Sequence, residues 1–515
     1  MSWPNRGASP TLSGVKGIGN PVSIAVPAGM TFTGVQWYRN GVAIAGAPGT
    51  ANPYIQVAAD IPASGSASIV LYPVLSGVTY TTTTYTNTAA SGPITAPLRV
   101  ASVENRIATV SAGSTGRRDY LFRVRFIPAK NTSGIVLNFY NFHMGTGGTG
   151  GPGNTLTIES ATVEGPGAAV RATASGANSF TMANLTGDYN MDVVTAASVG
   201  LSVFVAGTTY WVKGRVSVPA TGNGVPLCDR YVQLTPGERF TWYDPATTTL
   251  GNEFGVGNFT LTGGTPDEKG TGFCPIILGY AADGSDANSL VTIGDSNSGG
   301  TGDDQKGVNT QGNGFVQRAC SDGPTLINQF NMSRLNSTLS AWQGPNAALP
   351  RAYLKYGAAT FIKLGGNDIP TDGSASETNL NNFKLNMQSL ITLVKAAGVI
   401  KIALGAIFTR STSTDNWVTT ANQTVTPGRE TGGIVDQANT YMLGKVADGT
   451  ATSVTNYVAF PTQRDATLQY LWNVTGANGI TPGTTNTTDG THLNPLGHLK
   501  ASVTLRTTLY SIFGL

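Results

Sequence analysis

The stretch Asn288–Gly300, "NSLVTIGDSNSGG", sets a short, nearly continuous apolar run, Leu290–Ile293, directly against glycine, acid, serine, amide and more glycine. A short apolar run closed by turn residues reads as a strand buried on both faces. Similar runs follow in "ATFIKLGG" (359–366), "VIKIALGAI" (399–407) and "NYVAFP" (456–461). Between them, "NLNNFKLNMQSLITLVKAAG" (379–398) spaces Leu380, Phe383, Met387, Leu390 and Val394 at helical intervals, and "GGIVDQANTYMLGKVADG" (432–449) does so with Ile434, Ala438, Tyr441 and Val446. Buried strands alternating with amphipathic helices predict an α/β three-layer domain with a mainly parallel sheet over residues 286–515. Ligands of such sheets sit beyond the carboxyl ends of the strands, which is where Ser296 falls.

Upstream the grammar differs. Residues 20–96 run in short alternating segments broken by Gly, Pro and Asn, as in "TGVQWYRNGVAIAG" and "ASIVLYPV", and predict an antiparallel β-sandwich. The stretch around Trp37 resembles bacterial and phage immunoglobulin-like domains, in which a strand tryptophan fills the core. Residues 97–285 ("DYLFRVRFIPA", "GIVLNFYNFHM", "LSVFVAGTTYWVKGRVSV") predict a second β-sandwich or jelly-roll-like domain, with Tyr120, Phe122, Tyr140, Trp211, Phe240 and Trp242 read as core. Residues 1–19 read as an N-terminal arm. The chain is therefore expected to be multidomain, with two N-terminal all-β sandwich-like domains ahead of the α/β domain.

With 515 residues, 11% charged and a formal net charge of +3, the composition offers no field for a phosphate backbone, and no nucleic-acid binding is expected. Arg117, Arg118, Arg123 and Arg125 are read as a solvated basic face. Of the three cysteines, Cys228 and Cys274 could bridge or stay as buried thiols. No apolar run is long enough to cross a bilayer and the amino terminus lacks a secretory pattern, so membrane insertion is not expected. The expected setting is cytoplasmic, secreted with its signal absent from this chain, or assembled into a virus particle.

A serine hydroxyl is a poor nucleophile until a positioned base takes its proton. Of three histidines, two lie in "TTDGTHLNPLGHLK" (487–500), where Asp489 and His492 are close enough for one turn to present both. The acid can hold one ring nitrogen and leave the other to serve Ser296. His498 reads as structural, satisfying a helix-start backbone group. In "FIKLGGNDIPTD" (361–372) the amide of Asn367 can donate to a developing oxyanion.

These blocks together resemble the SGNH hydrolases, the GDSL-type esterases, over residues 288–515. The resemblance implies Ser296 as nucleophile with its backbone N–H in the oxyanion hole, Asn367 as a second donor, Asp489 as orienting acid and His492 as base. Gly294, Asp295, Gly365, Gly366 and Asp368 fall in the same signatures as loop support. The family's remaining block supplies a glycine N–H, but "TLINQFNMSRLNST" (325–338) has no glycine, leaving the backbone of Ser333 or Arg334 for that role. The polar loop 408–430 offers Arg410, Trp417 and Asn422 as substrate contacts.

The expected activity is that of a serine ester hydrolase needing no metal or other cofactor. Removal of O-acetyl groups from a bacterial surface polysaccharide is preferred over a short-chain lipase, arylesterase or polyester hydrolase. The β-rich amino-terminal half suits a phage tail or virion enzyme, with tail proteins or further copies of the chain as partners. A mainly structural or adhesive virion protein, with catalysis secondary or absent, is the other reading. The β segments and the hydrolase are expected to separate at 285/286.

Overall fold

The structure is a computed structural model. It describes residues 11–14, 21–25, 35–39, 42–44, 54–55, 69–75, 78–79, 85–87 and 96–515, the last range without 106, 109, 113–117, 146–147, 220–223, 229–235, 270–271, 304–313, 373, 464, 466–470 and 475–484. The chain divides into two compact units, Met1–Ala96 and Pro97–Leu515.

In the first unit, Thr11–Gly14, Pro21–Ala25 and Tyr54–Ile55 form one antiparallel sheet. Val42–Ala43, Val35–Arg39, Ile69–Leu75 and Val78–Thr79 form another, joined by Tyr85–Asn87. Trp37 is fully buried, and its carbonyl accepts the Ile44 N–H at 2.9 Å alongside the antiparallel pairing of Val35–Arg39 with Val42–Ala43. This is the sandwich-like pattern expected of 20–96. The segment expected as an arm contributes the strand Thr11–Gly14, while its residues 1–10 and 15–19 lie outside the described residues.

The second unit begins with two antiparallel sheets. One runs Ala169–Arg171, Leu156–Glu164, Tyr210–Ser217, Asp119–Phe126, Arg239–Tyr243, Asp267–Lys269; the other is built on Thr132–Asn141 and Ile276–Ala281. Phe122 of the first meets Phe139 of the second at 6.3 Å, with Phe273 6.3 Å from Phe122 and Tyr140 5.4 Å from Phe273. Tyr120, Phe240 and Trp242 are also buried, and Trp211 is half-buried with the Arg123 guanidinium over its ring at 3.9 Å.

One correction arises here. Arg123 and Arg125 are not a solvated face, because Arg123 pairs with the buried Glu164 at 2.8 Å and Arg125 pairs with the buried Glu104. The alternating arginines place charge on the second face of Asp119–Phe126, and buried carboxylates compensate it there, since an unpaired buried charge is strongly unfavourable. Arg118 is exposed and Arg117 lies outside the described residues. Of the two arrangements open to Cys228 and Cys274, the structure has buried thiols not joined in a disulfide, their sulfurs 3.7 Å apart.

The α/β region follows. Its sheet is wholly parallel, with strands β1 (Ser289–Gly294), β2 (Asn328–Asn331), β3 (Ala359–Lys363), β4 (Lys401–Gly405) and β5 (Asn456–Val458) in the order β2-β1-β3-β4-β5. Leu290, Phe361 and Ala403 face one way, onto helices α1 (Phe315–Ser321) and α4 (Pro495–Phe513). Val291, Ile293, Ile362, Ile402 and Leu404 face the other way, onto α2 (Glu377–Ala396) and α3 (Ile434–Leu443). Alternation with a period of two thus divides the apolar side chains between the two helical layers. Helix α2 starts with a capping box between Ser376 and Asn379 and buries Leu380, Phe383, Met387, Leu390 and Val394; α3 ends at Leu443, ahead of Val446.

The β and α/β regions of this unit share one hydrophobic cluster, which runs from Val100 through Phe142 to Phe330, Tyr353 and Val454. Residues 102–105 cover the outer edge of β2: the Gln329 N–H donates to the Ser102 carbonyl at 2.9 Å, and Asn105 bridges to Phe330. The Tyr356 hydroxyl donates to Asp188 at 2.6 Å, and Tyr353 accepts from the Asp188 N–H at 2.7 Å. An uncovered strand edge would be a site for aberrant pairing. The 285/286 position expected as a domain boundary thus lies inside a packed unit, because strand periodicity does not reveal which neighbour covers an edge. A chain cut at 96/97 is expected to unfold cooperatively at a Tm close to that of the full protein, whereas residues 286–515 alone aggregate. Thermal denaturation of the two truncations checks this, and a soluble, cooperatively folded 286–515 overturns it.

Candidate active site

Strand β1 is buried at all six positions, and β2 and β3 lie on opposite sides of it, so the chain reverses direction across the sheet at its carboxyl end. Ser296 stands two residues beyond that end. Its turn is held by Asp295, whose carboxylate accepts the Asn297 N–H at 3.0 Å and whose carbonyl accepts the Gly299 N–H at 2.9 Å. The Lys363 ammonium lies 3.8 Å from the same carboxylate. Gly294 packs against the hydroxyls of Ser298 and Ser333, which are bonded at 2.9 Å.

His492, expected as the base, arrives from 196 residues away. Helix α4 opens with Asn494, whose side chain accepts the Gly497 N–H at 3.0 Å, followed by Pro495 at its first position. Asn is a preferred N-cap and proline is pre-organised for the first turn. His492, just before that start, meets Ser296 Oγ through Nε2 at 2.9 Å, and its Nδ1 lies 2.7 Å from Asp489 Oδ2. Asp489 Oδ1 also accepts the N–H groups of His492 at 2.7 Å and Thr491 at 2.8 Å. A carboxylate accepts from Nδ1–H, so Nε2 carries the lone pair that faces the serine. Partial burial pushes the Asp489 carboxyl up, but the His492 side chain and the two backbone donors outweigh it and hold the group well below its ordinary range.

Two ties join these loops. The Asn297 amide donates to the Thr491 carbonyl at 3.3 Å and accepts from the Leu493 N–H at 3.3 Å, clamping the serine turn to the histidine loop. Gly490 has φ +73, and a Cβ there would come within 1.9 Å of the Ser411 carbonyl. This close approach lets the Ser411 N–H reach the Gly490 carbonyl at 3.1 Å and Trp472 Nε1 reach it at 2.9 Å.

For an oxyanion the Ser296 N–H has no partner among the described residues. Asn367 Nδ2 donates one hydrogen to the Ser337 carbonyl at 3.1 Å, and Oδ1 accepts from Arg410 Nη2 at 2.9 Å. The expected donor role of Ser333 or Arg334 is corrected. The Ser333 N–H is bonded to Asn331 Oδ1 at 3.0 Å and the Arg334 N–H to the Gly294 carbonyl at 3.1 Å. The β2–β1 ladder continues past the strand and takes up the Arg334 N–H, while the Asn331 side chain takes up that of Ser333. The Arg334 side chain turns instead to Ser337 Oγ at 3.2 Å and the Trp342 ring at 5.1 Å.

Gly365, at φ +111, gives β3 its exit, and the Gly366 carbonyl accepts from Arg429 at 2.8 Å. The Asp368 carboxylate accepts the Leu339 N–H at 3.0 Å. Trp417 is half-buried beside Gly490, with Nε1 on Ser411 Oγ at 3.1 Å. Asn422 is exposed and bonds Asp415 at 3.0 Å inside its own loop, where Ser411–Ser413 and Gln423–Val425 form a hairpin. His498 is fully buried: Nδ1 accepts the Phe315 N–H at the start of α1 at 3.1 Å, and Nε2 donates to the Thr301 carbonyl at 3.0 Å. Burial lowers it to about 4, so it stays neutral in this structural role. Among the described residues no His, Cys and acid group could hold a metal ion, and no helix is long and apolar enough to cross a membrane. Asn297, Ser337 and Arg429 were not singled out by sequence; only Asn297, adjacent to the serine, carried a signal there.

Burial pushes Asp368 up to about 7, with Asp295 adding to the rise against the Leu339 bond. A carboxyl raised in the folded state stabilises fully below its unfolded value of 3.8 and loses that contribution as pH rises through about 7. The Tm of the native protein is therefore expected to fall between pH 4 and 8 relative to that of D368N, whose amide does not ionise. Parallel Tm curves for the two would refute the assignment.

No family model matches the chain, and no curated protein matches it. Among solved structures, an acetylxylan esterase from Geobacillus stearothermophilus is similar at 16% identity, covering 43% of this chain and 93% of its own, with a TM-score of 0.30. A GDSL-like lipase from Bacteroides thetaiotaomicron is similar at 14% identity, covering 44% and 88%, with a TM-score of 0.26.

Proposed function

We propose that the chain is a serine ester hydrolase. The observation that carries this reading is the unbroken line from Ser296 Oγ through His492 to Asp489, at 2.9 and 2.7 Å, with a Ser296 N–H that has no partner among the described residues. Ser296 attacks the ester carbonyl as His492 Nε2 takes its proton, and Asp489 holds the imidazole and stabilises the imidazolium. The tetrahedral oxyanion is met by the Ser296 N–H and the second hydrogen of Asn367 Nδ2. His492 protonates the leaving alcohol and then activates water, which releases the acid and restores the serine.

The substrate proposed is an O-acetylated bacterial surface polysaccharide. The hairpin beside the site supports this: its turn is a network of hydroxyls, amide and carboxylate in which Asp415 accepts from Ser413, Thr419 and Asn422. Such a wall suits a hydroxylated polymer better than an acyl chain. The proposed setting is a phage tail or virion acting at the bacterial surface, with the antiparallel β unit 1–96 available for attachment to tail proteins or to other copies of the chain.

S296A is expected to fold normally and lose at least about 10³-fold in turnover of an aryl acetate, and D489N a comparable amount through the wrong imidazole tautomer. Full turnover by S296A overturns the mechanism. Acetate release compared across acetylated glycans, short-chain triacylglycerols and polyester films tests the substrate, and faster turnover of the lipid than of every glycan overturns that part.

A further inference from the structure

We propose that Arg410 is a positioning residue that fixes the Asn367 amide in its donor orientation; the inference rests on the esterase reading above. A primary amide has nearly the same shape after a half-turn, so its orientation is set by its partners. Here Oδ1 faces a guanidinium, which can only donate, at 2.9 Å, and Nδ2 faces the Ser337 carbonyl, which can only accept, at 3.1 Å. The reversed amide would lose both bonds and set N–H against N–H and oxygen against oxygen. One hydrogen of Nδ2 is spent on Ser337, and the other is left for the oxygen of the reacting ester. Donation from a cation into Oδ1 also polarises the amide and strengthens Nδ2–H as a donor.

Arg410 is itself held. Its carbonyl accepts the Thr426 N–H at 3.0 Å and its side chain is half-buried; burial disfavours its charge, and the carboxylates of Asp295 and Asp489 offset part of that cost. The buried Arg429 sets the spacing, donating to the Phe408 carbonyl at 2.9 Å and to the Gly366 carbonyl at 2.8 Å. It thus ties the backbone two residues before Arg410 to the residue just before Asn367. A direct substrate contact, the role its loop position suggests, would leave the Asn367 geometry unexplained.

The test is a double-mutant cycle on an aryl acetate with the full chain. N367A is expected to lower kcat by about 10²–10³-fold, and R410M by about 10–100-fold with KM changed less than about 3-fold. Because Arg410 acts through the amide, N367A/R410M is expected to match N367A within about 3-fold. R410K, which keeps a donor and a charge but not the planar fork, is expected between R410M and the native protein, and carries the same cycle if R410M does not fold. Losses that multiply in the double variant, or a loss confined to KM, overturn the proposal while leaving the esterase reading intact. A native protein inactive on every ester, or an S296A variant as active as the native one, overturns both.

Discussion

Six consecutive buried residues, Ser289–Gly294, lie between two helical layers and two neighbouring strands, so β1 meets solvent only where its ladder ends. Because β2 and β3 flank β1 on opposite sides, the loops that leave these strands diverge there and open a crevice. The Ser296 turn, the Asn367 loop and the His492 loop are brought to one edge by that topology.

What then holds the site is a small set of polar ties with little redundancy. Asn297 joins the serine turn to the histidine loop, Gly490 lets the hairpin at 411–425 close against that loop, and Asn494 with Pro495 fixes where α4 begins. Three cations, Lys363, Arg410 and Arg429, stand among Asp295 and Asp489.

The β region from residue 97 is part of the same folded body. It supplies residues 102–105 as an edge cover for β2 and Asp188 as the partner of Tyr353 and Tyr356. Its own second face is closed by buried ion pairs, Arg123–Glu164 and Arg125–Glu104, where an apolar pattern would have been the simpler solution. Residues 97–285 therefore brace the α/β region, and only the unit 1–96 is a separate compact body.

Sequence by itself determined what is periodic or contiguous. The buried strands, the stripe of Leu380, Phe383, Met387, Leu390 and Val394, the buried Trp37, and the three-residue spacing of Asp489 and His492 were all legible, since each depends on neighbours within a few positions. Tertiary structure alone decided what depends on partners far along the chain. It committed the Arg334 N–H to the Gly294 carbonyl, paired Arg123 with a glutamate 41 residues away, and turned Arg410 onto an amide 43 residues back. A hydrogen bond is satisfied by whichever group the fold brings within about 3 Å, and no local pattern in the chain encodes that choice.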